Sequence, residues 1–359
     1  MFIRSKTITC FIIFGALCFI QTVSAQEPVM NYIRARVQEV SEVHTEGEYP
    51  LQQAQVRLLN GPNEGTIIDV TNEQTANRED LRIVSGQTVI LQNLARPDGS
   101  EVYYFQETFR LNHLFWVFCA FLILVTMIGK KRGLMSLFGL IVSISIIIFI
   151  IFPLIKAGWN AFGVSIVGTF LIACSTILIA HGYNKRALLA LLSTCITLVC
   201  AIVIAFVTVD LVSLFGLGSE ESVFLKLDPT LHIDPKGLLL AGIIIGALGV
   251  LDDITTSQVA AVDEVRKANP AYDFKQLYKS GLSVGHEHIA SMINTLALAY
   301  IGASLPMFML FTLGGGAPAW VTLNSAFLTE EIIRTLVGSS ALLLATPIST
   351  FFAARSFAR

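Results

Sequence analysis

Two adjacent aspartates, Asp252 and Asp253, lie near the end of an otherwise apolar run. The run extends from Gly237 to Thr256, which is about the length that a helix needs to cross a bilayer. A carboxylate at such a position costs roughly 2.5–3.5 kcal/mol on insertion scales, so it needs a reason to be there. Two neighbouring carboxyl groups in a medium of low polarity should titrate as a coupled pair. These residue types at this depth predict binding of a cation or transfer of a proton.

A second group of polar side chains begins the next apolar segment. Its members are His286, Glu287, His288, Ser291, Asn294 and Thr295. Two consecutive helices joined on the inner side run antiparallel, so the end of the first lies level with the start of the second. We therefore expect Asp252, Asp253 and Thr256 to come near the last four members of this group, close to the cytoplasmic third of the bilayer: His288, Ser291, Asn294 and Thr295. Carboxylates, imidazoles and an amide at one depth are candidates for ion binding or proton coupling.

Helical spacing orients the two aspartates differently. Asp253 follows Gly246 by seven residues and shares its face, whereas Asp252 is rotated about 100° away. Gly242 and Gly246 are four residues apart, a spacing that lets a neighbouring backbone approach closely. The face that carries both glycines and Asp253 is therefore expected to pack against protein rather than lipid.

Simpler roles stay open for several of these residues. Ser291 and Thr295 have side chains that commonly pack and hydrogen-bond between membrane helices. His286 and Glu287 would also fit the headgroup region. A structural hydrogen bond to Asn294 is the corresponding alternative for the aspartates.

Enzyme motifs do not account for this group. His286-Glu287-His288 lacks a second histidine four residues after the first, because residue 290 is alanine, so it is not a metalloprotease helix. The sequence also has no Gly-x-Ser-x-Gly, no P-loop lysine and no Ser-x-x-Lys motif. We predict neither an enzymatic activity nor a cofactor. A metal-dependent membrane enzyme with His286 and His288 as ligands is the minor alternative.

The composition indicates that these residues belong to a polytopic membrane protein. The 359 residues are 54% hydrophobic and 14% charged, with a mean hydropathy of +0.68, whereas a soluble domain is about a quarter charged. Seven apolar spans are present, at residues 114–129, 133–153, 161–180, 187–208, 237–257, 286–311 and 333–353. The sequence therefore predicts seven transmembrane helices in a domain that spans residues 113–359.

Basic residues predict the orientation of the spans. If residues 26–112 lie outside, the inner segments carry eleven lysines and arginines and the outer loops of the membrane domain carry four. The positive-inside rule then places the C-terminus in the cytoplasm of a bacterial cell, with the protein in the inner membrane. The inner segment between spans five and six, Val259–Gly285, is expected to form short amphipathic helices along the interface, broken at Asn269-Pro270.

The N-terminal part of the chain is predicted to be exported. Residues 1–25 combine basic residues, an apolar stretch and a small-residue cleavage site, as a signal peptide does; an uncleaved anchor helix is the alternative. Residues 26–112 alternate polar and apolar residues in about five short strands, which predicts a small β-barrel of the size of an OB-fold. Their net charge of −6, from seven arginines and thirteen acidic residues, excludes nucleic acid as a partner.

The polar runs of spans five and six resemble those of the YibE/F-like family of bacterial membrane proteins. The similar segments are Gly246–Ser257, which contains the Asp-Asp pair, Val262–Val265, and Gly285–Tyr300, which contains the His-Ile-x-Ser-x-x-Asn-Thr run. The resemblance extends from about Phe115 to Ala353 and implies a topology and a site rather than a reaction. A weaker similarity to the membrane bundle of SecF and related RND transporters implies proton coupling through intramembrane carboxylates, by analogy of fold.

The sequence as a whole predicts a polytopic α-helical membrane protein with a small exported all-β domain. The hypothesis is a proton- or cation-coupled transporter that uses the Asp252–Asp253 pair. A non-transporting scaffold or sensor of the cell envelope is the alternative. The expected partners are membrane lipid, an ion or small solute, and an envelope protein that binds the exported domain.

Overall fold

The computed structural model describes residues 31–43, 51–72, 82–95, 101–313 and 318–358. The predicted signal peptide, residues 1–25, lies outside the described residues. The chain forms two compact units, one ending at Leu124 and one beginning at Val125.

Five antiparallel strands form the first unit. They are β1 (Asn31–Val43), β2 (Leu51–Leu58), β3 (Ile67–Asn72), β4 (Thr88–Ala95) and β5 (Glu101–Thr108). The strand order is β3-β2-β1-β4-β5, with β1 in the centre. Ile33, Ala35 and Val37 of β1 are buried, because alternate side chains of a strand point to the same face. The predicted alternation is therefore confirmed.

The two edge strands of this sheet, β3 and β5, lie near each other. Asn63, in the turn before β3, donates hydrogen bonds to the Glu101 carboxylate (2.9 Å) and to the Tyr103 hydroxyl (3.1 Å) of β5. The Tyr103 hydroxyl in turn donates to Glu101. These bonds tie the edges together, so the sheet is a half-barrel, which agrees with the predicted small barrel in its strand number and curvature.

The rest of the described chain is helical. The helices are α1 (Leu111–Leu124), α2 (Lys130–Ile146), α3 (Phe152–Lys156), α4 (Ala161–His181), α5 (Lys185–Leu211), α6 (Glu220–Leu227), α7 (Pro235–Ala268), α8 (Phe274–Ala303), α9 (Leu305–Leu313), α10 (Ala319–Leu323) and α11 (Ala326–Phe357). Among the described residues, five helical runs are long and apolar enough to cross a membrane. They are Leu111–Lys156, Ala161–His181, Lys185–Leu211, Pro235–Ala268 and Ala326–Phe357.

The first of these runs contains a reversal of the chain. Lys130 has a φ of 48°, in the left-handed region that ends a helix. A Cβ atom built on Gly133 would lie 3.0 Å from the carbonyl oxygen of Val125, although residues eight apart in a straight helix are about 12 Å apart. The run therefore turns back at Lys130, between the first two spans that the sequence predicts.

The sixth predicted span, residues 286–311, differs most from its prediction. It is divided between α8, which begins at Phe274 and ends at Ala303, and α9, which begins at Leu305, and neither helix is among the five apolar runs. The inner segment before it does not form separate interfacial helices, because α7 continues to Ala268 and α8 starts right after the predicted break at Asn269-Pro270. The Arg266 guanidinium holds this turn by donating to the carbonyl of Tyr272 (2.7 Å).

The long helix α7 is the centre of the second unit. It packs against α4, α5, α8 and α11. Leu251 and Ile254 are fully buried, and the hydroxyls of Thr194 and Thr255 form a buried hydrogen bond of 2.6 Å between α5 and α7. Side chains on α7 are therefore positioned by four neighbouring helices.

Segments that were predicted to share a side of the membrane lie at the same end of this bundle. At one end, Lys185 donates to the carbonyl of Ser356 (2.6 Å) and Arg186 pairs with Glu264 (2.8 Å). At the other end, Lys236 pairs with Asp210 at 3.0 Å. We call these the inner and the outer end, after the predicted topology.

Candidate functional site

Helix α7 presents Asp252 to α4. The Asp252 side chain is half-buried, and its carboxyl group faces Thr176 and, more distantly, His181. Among the described residues its Oδ1 atom is buried without a hydrogen-bond partner. Asp252 therefore contacts α4, a helix that was not predicted as its neighbour.

Thr176 and His181 are the polar groups of α4 that interact with the Asp252 carboxyl group. The Thr176 hydroxyl can donate its proton to the Asp252 carboxylate or to the carbonyls of Ile172 (3.0 Å) and Ala173 (3.3 Å) in its own helix, because a hydroxyl group rotates. His181, at the end of α4, is exposed.

Asp253 has different surroundings, as the helical phase predicts. Its side chain is exposed and lies on the face of α7 that carries Gly242, Gly246 and Gly249. A Cβ atom at Gly249 would meet nothing within 4 Å. The expected close packing of this face against protein is thus absent at its inner half, where an open space lies next to Asp253.

The outer half of the same face meets polar groups rather than a helix backbone. A Cβ atom at Gly242 would lie 3.1 Å from Nη1 of Arg334, and one at Gly246 would lie 3.1 Å from the Tyr300 hydroxyl. Arg334 is one of the four basic residues that the predicted topology assigns to the outer loops, and Tyr300 was not predicted as a site residue. Position 334 in fact lies two to three turns inside α11.

The polar group at the start of α8 is mostly exposed. His288 is half-buried, and the exposed members are His286, Glu287, Ser291, Asn294 and Thr295. The hydroxyl of Thr295 donates to the carbonyl of Ser291 (3.1 Å), and that of Thr256 on α7 donates to the carbonyl of Asp252 (2.8 Å). Both hydroxyls thus bond within their own helix. The proximity of this group to Asp253 stays a prediction.

Among the described residues, the fold does not bring a further metal ligand to His286 and His288 of α8. Across the described ranges, no three His, Cys, Asp or Glu side chains come together as a metal site. The metal-dependent alternative for His286 and His288 therefore has no support beyond the two residues themselves.

A buried hydrogen-bonded contact between three helices, which we call the joint, lies near the aspartates. It was not predicted from the sequence. The side-chain amide of Gln258 on α7 donates to the carbonyl of Gly281 on α8 (2.8 Å) and to the hydroxyl of Thr350 on α11 (2.7 Å). Gly281 and Gly285 allow this approach, since a Cβ atom at either would meet a side chain at under 3.0 Å. The spacing of four residues between these two glycines could have indicated a close contact between helices. The joint fixes three helices within two turns of Asp253.

Comparisons with known proteins identify the second unit. The model of the family described as YibE/F-like protein matches residues 117–359, which include both aspartates and all of α2 to α11. No curated protein matches the chain, and no solved structure does.

Proposed function

The chain belongs to the YibE/F-like protein family, and on that premise we propose that this membrane protein is a proton- or cation-coupled transporter. The observation that carries the proposal is the carboxyl group of Asp252. It lies on the central helix, half-buried, with Oδ1 unpartnered among the described residues and the Thr176 hydroxyl beside it. A group placed in this way is suited to hold and release a proton.

The two aspartates together support coupling rather than a structural role. A partly buried carboxylate with one oxygen atom unpartnered among the described residues is costly, and two adjacent carboxylates also repel each other. Uptake of one proton or one cation relieves both costs. Asp253 is exposed beside the open space at Gly249, so an ion can reach one member of the pair while the other is enclosed.

The proposed orientation has the inner end of the bundle in the cytoplasm of a bacterial cell and the half-barrel outside the inner membrane. Two features support it. The basic residues of the chain concentrate in the segments at the inner end, and those segments come together there through Lys185 and Arg186. In this orientation His181 connects Asp252 to the cytoplasmic side.

The test is proton flux through the full-length protein. Wild type, Asp252→Asn and Asp253→Asn are reconstituted in liposomes that contain a pH-sensitive dye, and a potassium diffusion potential is imposed with valinomycin. We expect flux in wild type, loss of flux in Asp252→Asn and reduced flux in Asp253→Asn. Asp210→Asn is the matched control, because Asp210 is exposed and pairs with Lys236 at the outer end.

Two results would reject the proposal. One is wild-type liposomes that acidify no faster than empty liposomes. The other is an Asp252→Asn variant that keeps wild-type flux at equal protein content. Either result favours the scaffold or sensor alternative, in which the half-barrel binds an envelope protein.

A further inference from the structure

A second charged group lies in the outer half of the bundle. Arg334 and Glu331 of α11 are 24% and 20% exposed, and the Arg334 Nη2 and Glu331 Oε1 atoms are 3.4 Å apart. The Tyr300 hydroxyl of α8 interacts with the same two charges. Gly242 and Gly246 of α7 lie opposite, next to Arg334 and Tyr300 respectively. Three helices therefore surround one arginine inside the membrane part of the protein.

The N–H donors of the Arg334 guanidinium are only partly matched by hydrogen-bond acceptors. Its Nε atom is buried without a hydrogen-bond partner in the part of the chain that the structure describes. Glu331 approaches a single nitrogen at 3.4 Å, beyond the 2.7–2.9 Å that is typical of a charge-assisted hydrogen bond. The neighbouring Glu330 accepts instead from the backbone N–H of Gly218 (3.0 Å), in the outer loop. Glu330 also interacts with the Arg334 charge. A buried guanidinium N–H without an acceptor is costly even beside these groups, so a ligand for it is expected.

The glycines opposite let both polar groups approach α7 closely. A Cβ atom at Gly242 or Gly246 would lie only 3.1 Å from the guanidinium or the hydroxyl, so each group lies directly against a glycine. The same face continues to Gly249, where a Cβ atom would meet nothing within 4 Å, and to Asp253, eleven residues from Gly242, which is about 16 Å along the helix. Open space on this face therefore lies on the inner side of Arg334 and Tyr300, which provide the recognition.

We propose that Arg334 and Tyr300 bind the oxyanion group, a carboxylate or a phosphate, of a small solute. The planar guanidinium offers paired N–H donors that match two oxygen atoms, and the tyrosine hydroxyl offers one more. A soluble anion is favoured over a lipid headgroup because Arg334 faces α7, the central helix of the bundle. The inference rests on the proposed coupled transport: the solute at Arg334 would lie on the same face of α7 as Asp253, the exposed member of the carboxylate pair.

Binding is measured without transport. The purified full-length chain in a phosphate-free maltoside detergent is titrated with sodium acetate or sodium phosphate, with sodium chloride at equal ionic strength as reference, and its thermal unfolding is followed. We expect a saturable rise in Tm with at least one of the two oxyanions. Arg334→Gln should weaken that binding by about tenfold or more, since a charged hydrogen bond is removed.

Three further variants separate recognition from folding. Arg334→Lys retains the charge but loses the planar fork, so we expect weaker, detectable binding. Tyr300→Phe should weaken binding less than Arg334→Gln does. Arg355→Gln, at the inner end of the same helix α11, should bind as wild type does. Wild-type elution in size-exclusion chromatography verifies that each variant is folded.

The proposal is overturned if neither oxyanion produces a saturable shift in wild type, or if Arg334→Gln keeps the wild-type response. It is also overturned if phosphatidylglycerol in the micelles produces a saturable shift that Arg334→Gln abolishes while acetate and phosphate produce none, since the occupant is then a lipid headgroup. Loss of anion binding with Asp252-dependent proton flux intact rejects this site alone. Saturable binding without any proton flux rejects the coupled transport alone.

Discussion

Replacing Gly285 by alanine should loosen the joint between α7, α8 and α11. The new Cβ would lie 2.3 Å from Cγ2 of Thr346 and 3.0 Å from the side-chain amide of Gln258. Thr346 is fully buried in α11, and Gln258 is held by two hydrogen bonds to neighbouring helices. Neither side chain can turn away at low cost, so α8 itself must move outward.

The expected loss of stability follows from three contributions. Overpacking of a well-packed site costs about 1–3 kcal/mol. The outward movement weakens the two bonds of Gln258, each worth about 0.6 kcal/mol between membrane helices. Alanine is a better helix former than glycine by about 1 kcal/mol, which offsets part of the loss. The net destabilisation is therefore about 1–3 kcal/mol.

Thermal unfolding of the purified protein in maltoside measures this loss. For a domain of this size each kcal/mol lowers Tm by about 2–4 °C, so a fall of about 2–12 °C is expected for Gly285→Ala. Gly302→Ala is the control in the same helix, because a Cβ there meets nothing within 4 Å, and its Tm should not fall. Adding Thr346→Ser to Gly285→Ala removes the 2.3 Å contact and should restore part of the lost Tm. Equal Tm values for Gly285→Ala and Gly302→Ala would refute the reasoning, as would the absence of any recovery in the double variant.

Two further predictions concern the hydrogen bonds of Thr194 and of Thr230. Thr194→Val removes the buried hydroxyl contact with Thr255 and should cost about 0.6–1.7 kcal/mol in the free energy of unfolding; adding Thr255→Val should cost less than the sum of the single changes, since the bond is lost only once. The hydroxyl and backbone N–H of Thr230 donate to Asp228 and lower the pKa of its carboxyl group below the ordinary value of 3.8. The ionised Asp228 carboxylate therefore contributes its full stabilisation of the folded state above the ordinary pKa. This stabilisation is lost as the pH falls through the lowered pKa. Thr230→Val should bring the pKa of Asp228 back toward 3.8 in an NMR titration, and an unchanged pKa would contradict this assignment.

Much of the fold could be predicted because it depends on local patterns. The period of two in β1 buries Ile33, Ala35 and Val37, since a strand has no other way to place them on one face. Proline at position 270 ends α7 close to where the sequence predicts a break, because it disfavours a helical residue before it. The lengths of α7 and α8 beyond the bilayer were not predicted. They depend on contacts across the pair, such as that of Val262 with Gly281.

The sequence selects candidate site residues but not all of their neighbours. The cost of two carboxyl groups in an apolar run points to Asp252 and Asp253, and helical phase predicts that their surroundings differ, as the structure shows. Both aspartates were predicted to lie near α8 because α8 is next along the chain. Asp252 instead faces Thr176 of α4, which is 76 positions earlier. No periodicity within one helix can indicate which distant helix packs against it.

The sequence by itself determined that this is a membrane protein of the YibE/F-like family with a carboxylate pair in its fifth apolar span. Composition, hydrophobic run length and helical phase are properties of consecutive residues, so they can be read without a fold. Only the tertiary structure decided that Asp252 faces α4 and that Gln258 joins three helices. It also decided that Arg334 lies opposite Gly242 on the face that carries Asp253. These contacts arise from packing between helices that are distant in sequence. They therefore depend on the shapes and polar groups of both helices.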